Sequence, residues 1–96
     1  MSVLRIVRFT ADPADADQIL ARRADLISAV RARFPGLAET RLIRPDERTW
    51  VDSWRWDSRA AMDAAVAGAH DLPETGVAFA LVKDPTSEEG EIVDER

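Results

Sequence analysis

The chain contains no cysteine, which removes disulfides, thiolate nucleophiles and thiolate metal ligands together. It has a single histidine, His70, so no multi-histidine metal site can be built within one chain. No metal or other cofactor is expected. No stretch reaches the ~18 apolar residues of a transmembrane helix, and the N-terminus opens on no long apolar run. A cytoplasmic location with no membrane partner is the default. There is no glycine-rich phosphate loop. Ser53 and Ser58 have no local base or oxyanion motif, so a hydrolase gains no support. Positive charge is in deficit: 13 Lys and Arg stand against 18 Asp and Glu, a net charge of -5. That balance argues against nucleic-acid backbones and anionic membranes as partners.

What is present is an ordinary globular composition, 46% hydrophobic and 32% charged over 96 residues, enough for one domain. So short a chain buries only ~60–65% of its unfolded surface. Association with a second copy is a natural way to bury more. Aromatic character is concentrated in one place. All three tryptophans fall within seven positions, in Trp50-Val51-Asp52-Ser53-Trp54-Arg55-Trp56. In a strand, alternate side chains share a face, so Trp50, Asp52, Trp54 and Trp56 point one way around a single carboxylate. Such a face is a core or subunit interface, or it lines an aromatic ligand cavity.

Val3 to Thr10 reads as a strand, with Arg5 and Arg8 on opposite faces and apolar residues on both. Asp12-Pro13 opens a helix as cap and first residue. Ala16, Ile19, Leu20, Ile27, Val30 and Phe34 follow helical spacing, and Pro35-Gly36 ends it. Leu37 to Arg44 and Arg48 to Trp56 form a hairpin about Pro45-Asp46-Glu47. Asp57 or Ser58 caps a second helix with Met62, Ala65, Val66 and Ala69 on its stripe, weakened at Gly68. Asp71 to Gly76 is a loop and Val77 to Lys83 a fourth strand. From Pro85 the chain is acidic and polar, which reads as a mobile tail or an arm ordered on a partner. The expected organisation is a domain over 1–84 and a tail over 85–96. The order βαββαβ predicts an α+β, ferredoxin-like domain with two helices on one face of a four-stranded antiparallel sheet. The other face has no cover within the chain. A second protomer packed sheet against sheet would supply it, giving a homodimer.

Phe34-Pro35-Gly36-Leu37 after the first helix, with a third strand ending Trp56-Asp57-Ser58 at the second, resembles the antibiotic biosynthesis monooxygenase family of dimeric α/β barrels. The resemblance runs from Val3 to about Asp84. It implies cofactor-free oxygenation of a small aromatic, polyketide or quinol-type substrate. It is also compatible with a non-catalytic barrel that binds a small molecule or serves as a partner subunit, or with an isomerase or cyclase on the same scaffold. Trp56 sits where the family's strand-ending tryptophan borders the substrate cavity, which implies that the Trp50, Asp52, Trp54 and Trp56 face looks into the barrel. Many members carry a histidine midway along helix two, where this chain has Ala65 and Val66. The heme-degrading branch uses an asparagine on the first strand, and this chain contains none. Heme degradation is not expected.

Cofactor-free oxygenation needs a deprotonated substrate, stabilisation of its anion and exclusion of water. Asp52 is the candidate base with the best company, because flanking indoles would desolvate it. The bland alternative is a carboxylate paired with a tryptophan N–H or an arginine. His70, just past helix two, is the other candidate base; a lone histidine at a helix end is more often a surface residue. Trp50, Trp54, Trp56, Arg8 and Arg41 are the candidate substrate-binding residues. The arginines could equally form cross-strand ion pairs. The basic run Arg22, Arg23, Arg31 and Arg33 reads as a solvated helix face.

Overall fold

Antiparallel pairing organises the chain. In a computed structural model that describes residues 1–96, β1 (Val3–Thr10) lies between β3 (Thr49–Trp56) and β4 (Lys83–Glu91), and β2 (Leu37–Ile43) pairs with the far edge of β3. The strand order is β2-β3-β1-β4. Three helices, α1 (Ala16–Arg33), α2 (Arg59–Gly68) and α3 (Pro73–Phe79), complete a ferredoxin-like fold.

The local chemistry explains most boundaries. Asp12 accepts a bond from the Ala14 N–H and Pro13 opens a 3-10 turn that leads into α1. Arg31 and Arg33 lie in the last turn of α1, where cations suit the helix dipole. Gly36 adopts φ +103° at the turn into β2, and a Cβ there would stand 2.7 Å from that of Ala61. Glycine is therefore required both by backbone conformation and by close approach. Its carbonyl also accepts the Asp57 N–H at 2.8 Å, tying the turn to the end of β3. Ser58 caps α2 through the Ala61 N–H. Gly68 does more than weaken that helix, because a Cβ at this position would enter the Phe34 ring.

Two expectations from the sequence are corrected. First, Val77 to Lys83 is not the fourth strand. Pro73 starts α3, which runs to Phe79; the Thr75 hydroxyl donates to the Ala69 carbonyl at 2.6 Å, and Arg22 donates to the Val77 carbonyl. The strand-like composition of Val77 to Val82 loses to these tertiary contacts. Second, residues 85–91 are not a loose tail but part of the fourth strand. Lys83–Glu91 pairs with β1 along its length, and the Ile92 N–H reaches the Ser2 carbonyl. Every residue of β4 is exposed, so it lacks the apolar signature of a half-buried strand. Backbone pairing and the cross-strand ion pair of Arg5 with Glu89 hold it instead. Pro85 is accommodated because the register shifts opposite Phe9, where Asp84 takes φ 52°. Proline is tolerated at such an edge-strand irregularity.

The faces are assigned by register. Val3, Arg5, Val7 and Phe9 stand opposite Trp56, Trp54, Asp52 and Trp50. Trp56 packs with Leu26, Val30, Met62 and Ala65, residues of α1 and α2. The tryptophan face is thus the helix-covered face, rather than one looking into a barrel closed by a second protomer, as the resemblance implied. Alternation fixes which residues share a face but does not say which face the helices take. The open face instead carries Leu4, Ile6, Arg8, Val51, Ser53 and Arg55. Leu20, expected in the stripe of α1, is 51% exposed.

Candidate functional site

The core is divided in two. One cluster gathers Val3, Leu26, Val30, Leu37, Trp56, Met62 and Ala65; the other gathers Phe9, Ala11, Ile19 and Trp50. Between them, under the helices, lies a cavity of about 240 Å³. Trp54 and Trp56 wall it from β3, with ring centroids 6.3 Å apart and planes tilted by 36°. Ile19, Leu26 and Val30 face it from α1, and Ala65, Val66 and Ala69 from α2 and the turn that follows it. His70, Thr75, Ala78 and Phe79 line the side formed by that turn and α3.

One part of this apolar wall is polar. Asp52 accepts from Arg23 Nε at 3.0 Å and from Arg23 Nη2 at 2.9 Å, and its Oδ1 also accepts from Trp54 Nε1 at 2.9 Å. The pair is largely removed from solvent, with side chains 19% and 14% exposed. Two parallel bonds from a guanidinium fork fix both partners. Arg5, directly across from Trp54, lines the same cavity and pairs outward with Glu89. Arg23 is thus no member of a solvated face. It occupies the inward position in the series Ile19, Arg23, Leu26, Val30, whose spacings of four, three and four define one side of a helix. A charge in an apolar stripe requires a buried counter-ion, and Asp52 is the only acid that β3 turns inward.

The other candidates separate cleanly. Asp52, Trp54, Trp56 and His70 all line the cavity. Trp50 does not; it stacks on Phe9 at 6.3 Å with nearly parallel planes, and the Arg44 guanidinium lies 4.6 Å from its ring. Arg8 and Arg41 are corrected as cavity residues, since both leave the sheet on the open face. Arg41 instead bonds Glu39 at 2.6 Å. That bond, with a second from Arg55, holds the Glu39 carboxyl below the usual range. Asp52, the candidate base, is paired as its alternative reading had it, with three donors on its two oxygens. No cluster of three or more histidine, cysteine, aspartate or glutamate side chains converges to hold a metal ion. No helix is long and apolar enough to cross a membrane.

A ferredoxin-like α+β domain with an apolar cavity between sheet and helices defines the class. Residues 2–70 match the profile of the antibiotic biosynthesis monooxygenase family, and the chain belongs to it. Among solved structures it is similar to SnoaB, a cofactor-independent oxygenase from Streptomyces nogalater. One form of that protein is 26% identical with a TM-score of 0.74, covering 98% of this chain and 95% of the other. A second form is 29% identical with a TM-score of 0.66, covering 99% and 94%. Rv0793 from Mycobacterium tuberculosis shares the fold at 23% identity and a TM-score of 0.75, covering 99% and 98%. No curated protein matches the chain by sequence.

Proposed function

We propose that the chain is a cofactor-independent monooxygenase for a small aromatic substrate of the quinol or anthrone type. The observation that carries this reading is the cavity itself: apolar, walled by Trp54 and Trp56, and closed at one side by a fixed polar group. Membership of the family and likeness to a cofactor-independent oxygenase support it. The cavity falls below the ~300–1,000 Å³ of pockets for drug-sized ligands, which favours a compact ring system. In the proposed reaction an anthrone methylene loses two hydrogens and gains one oxygen atom from O2. The second oxygen atom leaves as water with those hydrogens, and the substrate supplies all the electrons. His70 lines the cavity and is exposed, so a proton taken from substrate can pass on to solvent. Asp52 holds Arg23 and Trp54 rather than serving as the base.

The test is oxygen uptake by the purified protein with a panel of anthrones and hydroquinones, using 18O2 to follow one labelled atom into product. Uptake that depends on His70 supports the reading. Absence of uptake across the panel, with ligand binding intact, overturns it. That second outcome fits a non-catalytic binding protein, a reading favoured by the engagement of both Asp52 oxygens and by Ala65 and Val66 on α2.

The assembly proposed with it is a homodimer. Leu4, Ile6 and Val51 form an apolar centre on the open face, bordered by Arg8, Arg55 and Glu88. A second copy packed sheet to sheet would cover it.

A further inference from the structure

The polar side of the cavity is unusual in what it leaves free. Both oxygens of Asp52 and the N–H of Trp54 are used within the chain. Arg23 spends Nε and Nη2 on Asp52, while Nη1, with two N–H groups, makes no bond within the chain. Arg5 uses one nitrogen on Glu89 and retains its other donors. The free polar groups beside Trp54 are therefore donors without acceptors. A ligand seated against them must bring an acceptor, and charge-assisted bonds to an oxyanion are the strongest of that kind. The aromatic walls set the rest of the ligand.

We infer that Arg23 is an oxyanion-binding residue of this cavity, docking the anionic oxygen of an aromatic ligand, an aryl oxide or an arenecarboxylate. Asp52 is its positioning residue, keeping the guanidinium plane fixed so that Nη1 is presented without reorganisation. Arg5 adds a second cation from β1. The remaining titratable groups near the ligand are Glu89, on the exposed strand β4 and turned toward Arg5, and His70 beyond α2. The inference rests on the cavity described above but not on oxygen chemistry within it. It assigns a role to a residue that charge patterning alone places in solvent.

The experiment compares 4-nitrophenol, 4-nitrobenzoate and nitrobenzene, three ligands of like size. Binding is read by quenching of tryptophan fluorescence. For 4-nitrophenol, phenolate absorbance also reports the ionisation of the bound ligand. At least one anion should bind roughly tenfold or more tighter than nitrobenzene, the ratio expected for a hydrogen bond to a charged group. Bound 4-nitrophenol should ionise at lower pH than the free phenol if the aryl oxide is the form recognised. A preference for 4-nitrobenzoate without that shift identifies the carboxylate instead. Arg23→Met should abolish the preference. Because it strands Asp52, Arg23→Met/Asp52→Leu is the matched variant that removes both charges, and it should bind all three ligands alike. Equal binding of the three by the wild type overturns the inference, as does binding of none. Survival of the preference in the double variant overturns it too. Turnover without anion preference sinks this assignment and spares the oxygenase reading; anion preference without oxygen uptake does the reverse.

Discussion

Trp56 shows how a single position can serve core and cavity at once. Its ring is 2% exposed and packs with Met62 and Val30, yet one side borders the cavity. Its Nε1 is buried and has no partner. Trp56→Ala should cost about 3–5 kcal/mol, the range for deleting a large buried aromatic. Trp56→Phe keeps most of the area and removes an unpaired donor, so melting should change little. If 4-nitrophenol affinity nevertheless falls about tenfold, the indole N–H is a ligand contact; unchanged affinity shows a wall only. Asp46 is a different kind of residue, exposed at the hairpin turn. Its carboxyl is held below the ordinary value of 3.8, chiefly by the Arg48 N–H and next by the Thr49 hydroxyl. A lowered folded-state value means that its contribution is complete above the ordinary value and is lost as pH falls through the folded one. Thermal melts taken from neutral pH into acid should show a smaller loss for Asp46→Asn than for the wild type. An identical loss would show that the turn does not contribute to the acid sensitivity.

Among the elements, those with both a start signal and an apolar pattern were legible from sequence. Asp12-Pro13 marked the turn that leads into α1, and Phe34-Pro35-Gly36 and Trp56-Asp57-Ser58 marked real boundaries of β2 and α2. The hairpin at Pro45-Asp46-Glu47 also formed, joining β2 to β3. What sequence did not reveal was β4, because an edge strand with nine exposed residues has no face to bury. Charges, Pro85 and Gly90 make it look like a tail, and they are also what keeps an edge from pairing with other chains. The site was legible in part for a related reason. Period two grouped Asp52 with Trp54 and Trp56, but the partner that defines Asp52 comes from α1, across tertiary space. The signal was Arg23 at a stripe position, masked by the neighbouring arginines. A direct consequence concerns truncation after Val82. Removing β4 leaves the β1 edge unpaired and Arg5 without Glu89. The shortened protein should melt at lower temperature and aggregate, as followed by circular dichroism and light scattering. An unaltered melt would restore the tail reading.

At the scale of the whole molecule, the cavity and the open sheet face are separate surfaces. The cavity-lining residues lie on the helix side of the sheet, whereas Leu4, Ile6 and Val51 point away from it. Ligand binding and association can therefore be tested separately. The wild type is expected to sediment as a dimer at micromolar concentration, with the two sheets ~10 Å apart. Ile6→Glu places a carboxylate at the centre of the buried patch, directly opposite Glu88 on β4. Burying a charge beside a like charge without a partner is strongly unfavourable. The variant should sediment as a monomer, keep its helices by circular dichroism, and still bind 4-nitrophenol in the wild-type range. Loss of binding together with dimerisation would show that a second copy shapes the cavity, through the sheet that forms its floor. A wild type that stays monodisperse and monomeric would refute the dimer, and the apolar centre of the open face would then need a different partner.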